Sequence, residues 1–258
     1  MAERNYRTYL RLDQLLGLQD TGPEHDEMLF IVVHQVYELW FKEILHEIDH
    51  AAGLLRGGEG TRARHTLYRV RTIVKVLVAQ LDVLETMTPL EFLSFRDRLA
   101  SGSGFQSTQF RELEFVLGHK DPDAVERAEP EGRARATLER RLHQPTLWDA
   151  FLAHLAGAGT DVGERQLGRD VRRRVEPDPR LQEALADVYR TSPDLAALCE
   201  ALMDLDEGLQ EWRYRHVKMV ERTIGAKPGT GGSSGAAYLR TTLHQPFFPD
   251  LWALRSLL

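Results

Sequence analysis

The chain has only one cysteine, Cys199, among its 258 residues. A single cysteine excludes an intrachain disulfide framework and is typical of proteins from a reducing compartment. The N-terminal residues contain no apolar stretch of the kind found in a secretory signal. From the sequence we therefore expect a cytoplasmic protein.

Long hydrophobic runs and basic clusters are also missing. The most apolar run, residues 28–41, is interrupted by polar residues such as His34 and Glu38, so it is too short and too polar to span a bilayer. A net charge of -6, with no block of lysine and arginine, argues against a nucleic-acid surface. What remains is an ordinary globular composition, in a chain long enough to bury a large core.

Apolar residues recur every three or four positions along most of the chain, which is the period of an α-helix. These stripes predict one long helix that ends at Gly57-Gly58, a second over residues 67–87, and a last one over residues 193–224 that ends at Gly225. No alternation typical of strands is visible. The sequence therefore predicts an all-α fold, a bundle of long helices.

Residues 119–180 differ from the rest because they are rich in Arg, Glu, Asp and Pro. Short amphipathic pieces such as Thr146 to Leu155 still predict helices there. We interpret this segment as a smaller peripheral helical insertion within a single domain, residues 1–258, and not as a second domain.

Four of the ten histidines fall between His25 and His50. The run from His46 to His50 is a literal HExxH, the spacing of a zinc hydrolase in which the glutamate acts as general base. However, Asp49 occupies an interior position of the motif, and the neighbouring acids look like a solvated helix face. The two ExxH pairs here lie on one helix, whereas a di-iron bundle needs two. Both metal interpretations are disfavoured.

Two other histidines interrupt apolar helix faces. His34 shares a face with Phe30 and Tyr37, and His216 stands in the stripe of the last helix. Burying an imidazole without a partner is unfavourable, so each is either hydrogen-bonded core or faces a ligand. A haem is one such ligand: one histidine would ligate the iron, and the other would face the opposite side of the macrocycle.

Two further features have open interpretations. Arg96, after an apolar stretch, predicts either a surface ion pair or a bidentate clamp on a carboxylate. The glycine-rich patch over residues 227–235 lacks the order of a phosphate loop. It is either a bland linker or an active-site lid with glycine hinges.

Five motifs, taken together, resemble those of a known family. They are YLRLDQLL at 9–16, HDEMLFIVVHQVYELWFK at 25–42, LETMTPLEFLSFRDRLASGSGFQS at 84–107, WRYRHVKMV at 212–220 and GTGGSSG at 229–235. The chain resembles the tryptophan 2,3-dioxygenase family over residues 6–117 and 195–252. The resemblance implies an all-α, homotetrameric enzyme that depends on haem b. Such an enzyme inserts both atoms of O2 across the indole C2–C3 bond of L-tryptophan and gives N-formyl-L-kynurenine, the first step of tryptophan catabolism.

The resemblance also implies roles for residues of this chain. His216 would be the iron ligand, His34 the catalytic histidine that hydrogen-bonds the indole N–H, and Arg96 the partner of the substrate carboxylate. The other implied substrate contacts are Phe30, Phe92, Thr230, Tyr6, Tyr9 and Leu10. The last three would reach a neighbouring protomer, and Ser103 and Gly104 would flank the haem.

Other functions stay open at this point. Some family members have Tyr where Phe92 stands, and some relatives act on substituted tryptophans or insert a single oxygen atom. A haem sensor without turnover and a zinc hydrolase are the alternatives outside this chemistry.

Overall fold

Three long helices form the frame of the molecule: α3 (Glu27–Arg56), α4 (Gly60–Leu84) and α12 (Pro193–Ile224). The computed structural model describes residues 5–99, 102, 106–128, 132–229 and 234–258. Every regular element in these ranges is helical, which confirms the predicted all-α class. None of the described helices combines the length and the apolarity needed to cross a bilayer.

Shorter helices surround this frame. They are α1 (Tyr6–Leu10), α2 (Leu12–Leu15), α5 (Pro89–Phe95), α6 (Thr108–Leu117), α7 (Pro122–Arg127), α8 (Arg133–His143), α9 (Leu147–Gly157), α10 (Glu164–Leu167), α11 (Pro179–Thr191), α13 (Ala236–Arg240) and α14 (Pro249–Ala253), with 3-10 turns at Arg96–Leu99 and Leu254–Ser256. In the frame, α4 packs against both α3 and α12. One continuous core includes residues from Val33 to Leu254, and the description of the chain as one domain stays a prediction.

Local signals in the sequence set several helix ends. The last long helix ends at Gly225, as predicted, and the positive φ of 61° there is one that glycine adopts without strain. At the start of α5, the Thr88 hydroxyl accepts a hydrogen bond from the Glu91 N–H, and the Glu91 carboxylate accepts one from the Thr88 N–H. This reciprocal cap fixes where α5 begins, and hence where the 3-10 turn that carries Arg96 lies.

The segment 119–180 is only partly peripheral. Helices α7 and α8 pack around Phe115 in a separate small cluster. In contrast, α9 lies against α3, and its Trp148, Phe151 and Leu155 are fully buried in the main core. The difference has a physical cause: α3 is apolar on more than one side, and α9 supplies the apolar face that covers it. Composition alone concealed this role.

We predict that Leu155→Ala lowers the free energy of unfolding by about 2–5 kcal/mol, the usual cost of a cavity in a packed core. Leu167→Ala is the matched control, because Leu167 is 52% exposed and Leu155 is 0% exposed. The control should change stability by less than about 0.5 kcal/mol. Urea unfolding measures both variants, and equal effects would show that α9 is peripheral after all.

Candidate active site

A cavity of about 260 Å³ opens between α3, α5 and α12. This volume is close to the lower end of the range of roughly 300–1,000 Å³ that is typical of small-molecule sites. Most of its wall is apolar. The polar and aromatic side chains around it are Phe30, His34, Tyr37, Glu38, Phe41, Phe92, Arg96, Ser107, Phe110, Arg111, Glu114, Trp212, Arg213, His216, Thr223, Tyr238 and Thr242.

His216 faces the cavity from α12. The His216 side chain is partly buried and lines the cavity. Burial lowers the pKa of His216 to about 4, and the nearby His34 adds to this shift. The ring has no hydrogen-bond partner among the described residues, and it stacks on Trp212 with centroids 5.4 Å apart and planes 10° from parallel. A neutral imidazole with a free lone pair therefore points at the cavity, which is what a metal centre requires.

His34 faces the same cavity from α3. Its Nδ1 lies 2.7 Å from the Phe30 carbonyl oxygen. Because a carbonyl only accepts hydrogen bonds, Nδ1 carries the proton, and Nε2 is left with a lone pair. Burial lowers the pKa of His34 below 6.5, although the Phe30 bond and the charge of Glu38 act in the opposite direction. At neutral pH His34 is therefore a hydrogen-bond acceptor on the cavity wall.

Aromatic rings line the cavity beside His34. The Phe30 ring lies 4.0 Å from the imidazole of His34 and 5.8 Å from the ring of Phe92, centroid to centroid. Phe95 is fully buried behind both phenylalanines, with its centroid 5.5 Å from each. Flat apolar surfaces of this kind favour an aromatic ligand, which gains buried area and ring contacts.

Arg96 lies at the rim of the cavity, on the 3-10 turn after α5. Its Nη2 donates a hydrogen bond to the carbonyl oxygen of Pro228. In the part of the chain that the structure describes, no carboxylate pairs with Arg96. The guanidinium therefore retains donors for an anion that enters the cavity.

The two ends of the glycine patch, Lys227 and Gly235, lie close together beside Arg96. Gly235 has a positive φ of 63°, and a Cβ there would lie 2.7 Å from the carbonyl oxygen of Lys227. Only glycine permits this close approach. Just beyond it, Nε of Arg240 donates to the Glu221 carboxylate at 2.6 Å. Both ends of the patch are thus held next to the cavity.

The structure does not bring every predicted site residue to this cavity. Tyr6, Tyr9 and Leu10 are 75%, 61% and 43% exposed and do not line it. Their placement in a neighbouring protomer stays a prediction. The remaining three, Thr230, Ser103 and Gly104, lie outside the described residues.

The HExxH run does not form a metal site within the described residues, where no cluster of three ligand-type side chains occurs. His46 and His50 are exposed. Glu47 is buried, contrary to the expectation of a solvated face, and it pairs with Arg69 at 2.6 Å. Asp49 binds both Nη atoms of Arg141. These acids therefore serve ion pairs between helices.

Sequence interpretation did not single out the residues that support the two histidines. Trp212 appears in the sequence only as part of the motif at 212–220, although it precedes His216 by one helical turn. Arg213 is buried and pairs with Glu114 at 3.1 Å, and Glu114 also pairs with Arg111. An arginine between two inward-facing residues of α12 was the available signal, because such a charge needs a partner.

The chain is similar to known proteins over nearly its whole length. The family model for tryptophan 2,3-dioxygenase matches residues 1–148 and 162–258. A protein named tryptophan 2,3-dioxygenase from Herpetosiphon aurantiacus is 57% identical over 256 residues, which is 97% of each chain. Relatives of the same name from Anaeromyxobacter dehalogenans and Caulobacter vibrioides are 52% and 45% identical over at least 97% of both chains.

The lowered pKa of His216 predicts how the stability of the cofactor-free protein depends on pH. Below 6.5 an unfolded imidazole binds a proton, but the folded His216 does so only near pH 4. The unfolded state therefore binds more protons in this window, and the free energy of unfolding falls as the pH falls from about 6.5 to 4. His216→Gln should reduce this slope without abolishing it, because burial also lowers the pKa values of His34 and His119. The control His25→Gln should leave it unchanged, because His25 is exposed to solvent. Identical slopes would contradict the prediction.

Proposed function

The chain belongs to the tryptophan 2,3-dioxygenase family, and on that premise we propose that it opens the indole ring of L-tryptophan. Both atoms of O2 are inserted across the C2–C3 bond, and N-formyl-L-kynurenine is released. One observation carries the proposal: two neutral histidines on different long helices, His34 and His216, face one apolar cavity with an arginine, Arg96, at its rim.

The residues around His216 fit a haem. An iron ligand must be a deprotonated nitrogen on an accessible ring, and His216 meets both conditions. A ligating imidazole usually has a hydrogen bond that orients it; here, stacking on Trp212 holds the ring in one plane. We propose that His216 holds the iron of haem b in this cavity. Haem, when bound, supplies the binding and activation of O2.

The other cavity residues position the substrate. The Nε2 lone pair of His34 accepts a hydrogen bond from the indole N–H, and the rings of Phe30 and Phe92 pack on the indole. The N–H groups of Arg96 that are not bonded to Pro228 donate hydrogen bonds to the carboxylate. Fixing a substrate at both ends holds its reacting carbons in one place. Such an orientation effect lowers the activation barrier by up to roughly 7–11 kcal/mol in well-oriented reactions.

The remaining assignments concern assembly and the ends of the substrate. We propose a cytoplasmic homotetramer in which Tyr6, Tyr9 and Leu10 enter the cavity of a neighbouring protomer. Their large exposed apolar area on a single chain supports this. Thr230, on the glycine patch, contacts the amino-acid end of the substrate. Ser103 and Gly104 flank the haem.

The central experiment combines haem binding with product analysis. Wild-type protein reconstituted with haem should show a Soret band, and His216→Ala should greatly weaken it. His46→Ala is the matched control, because it removes an exposed histidine of the HExxH run. A colourless wild-type protein that carries zinc would overturn the proposal.

The same preparation identifies the reaction. With reductant, L-tryptophan and isotopically labelled O2, the product mass should show two oxygen atoms, both from O2. A product with one added oxygen atom would show that the enzyme inserts a single oxygen. Turnover of substituted tryptophans alone would show that L-tryptophan is not its substrate. Haem without any turnover would indicate a sensor.

Arg96→Ala should raise the KM for L-tryptophan strongly. Losing the partner of a charged group in a closed site costs on the order of 2–5 kcal/mol, and the two other described arginines that line the cavity, Arg111 and Arg213, already pair with Glu114. Tryptamine, which has no carboxylate, serves as the control ligand, and its affinity should change little. An unchanged KM for tryptophan would remove Arg96 from the site.

A further inference from the structure

A buried carboxylate stands at the start of α3, outside the cavity. Glu27 is 5% exposed and accepts two hydrogen bonds. One comes from the backbone N–H of Gly22 at 2.5 Å and the other from Nε of Arg98 at 3.1 Å. Each oxygen has one donor, so Glu27 ties together the loop before α3 and the 3-10 turn after α5, which is 71 residues away in the chain.

Gly22 leaves the space that the Arg98 guanidinium occupies. A Cβ at position 22 would lie 2.3 Å from Cζ of Arg98 and 2.3 Å from its Nη1. The guanidinium therefore rests directly on the backbone of Gly22. The φ of Gly22 is not in the left-handed region, so the backbone permits alanine, and its Cβ would displace the Arg98 guanidinium from this position.

Arg98 shares its short turn with the arginine of the cavity. The turn comprises only Arg96–Leu99, and both Arg96 and Leu99 line the cavity. In a 3-10 helix, residues two apart point to different sides, so Arg98 anchors the turn from outside while Arg96 faces inward. A displacement of the anchored side moves the whole four-residue unit.

The loop before α3 is also held at a second place. Gln19 donates to the Gln35 side chain at 2.7 Å, and Gln35 donates to the Leu18 carbonyl at 3.2 Å. Residues 18–22 are therefore held against α3 by hydrogen bonds. They follow the exposed helices α1 and α2 in the chain. Glu27 is the point at which this N-terminal segment and the turn of Arg96 meet.

We propose that Glu27 is a positioning residue for Arg96, acting through Arg98 and the bare backbone of Gly22. It fixes the position of the Arg96 guanidinium relative to the substrate carboxylate. It also couples that position to the packing of the N-terminal segment on α3. The inference rests on the proposed function, because it assigns a support to the carboxylate-binding end of that site. Glu27, Arg98 and Gly22 themselves do not contact substrate.

The test compares two ligands in haem-loaded protein. Binding of L-tryptophan and of tryptamine is followed by the shift of the Soret band in Glu27→Gln and Gly22→Ala. The affinity for tryptophan should fall about tenfold in each variant, as expected when a distant change displaces a positioned group. The affinity for tryptamine should stay within about twofold, because a ligand without a carboxylate does not use Arg96.

Matched variants separate positioning from general damage. Asp20→Asn neutralises an exposed acid of the same loop and should leave both affinities unchanged. In an Arg98→Ala background, Glu27→Gln and Gly22→Ala should add nothing further, because both act through Arg98. Additive losses, or equal losses for tryptophan and tryptamine, would overturn the positioning role. A wild-type protein that binds neither haem nor tryptophan would instead overturn the proposed function.

Discussion

The contact between Tyr37 and Trp212 is the constraint on which the rest of the site depends. Their ring centroids are 6.2 Å apart, one helical turn from His34 on α3 and from His216 on α12. The Tyr37 hydroxyl donates to the Leu77 carbonyl of α4 at 2.7 Å, and burial raises the pKa of Tyr37 to about 12, so it remains a donor. This junction of three helices sets the separation of the two histidines.

The electrostatic character of the cavity follows from that packing. Apolar helix faces surround both imidazoles, and the resulting desolvation keeps them neutral. An imidazole must be neutral both to bind iron and to accept a hydrogen bond, so the same desolvation suits both proposed roles. The charged groups that line the cavity are held by other contacts: Arg96 lies at the rim, Glu38 accepts a hydrogen bond from Gln109, and Arg213 pairs with Glu114.

Sequence reasoning succeeded where the deciding physics is local. Period, caps and glycine conformation set the ends of α12 and α5, and the apolar stripe of α12 indicated that His216 faces inward. It failed where the deciding contact is distant in the chain. The burial of α9 against α3 depends on which faces meet, and the Glu27–Arg98 pair joins residues 71 positions apart. Family resemblance supplied the roles of His34 and Arg96, which spacing alone had left open.

The two ends of the site are built on different kinds of support. The histidines belong to helices of 30 and 32 residues, whose position is set by a large core. Arg96 belongs to a four-residue turn that is held by a few polar contacts with the N-terminal loop and with Pro228. Changes in those contacts therefore reach the carboxylate end without moving the imidazoles. If the proposed roles hold, substrate affinity is adjustable separately from iron ligation. The N-terminal segment is the natural place for that adjustment, because its helices α1 and α2 bury no residue in the core.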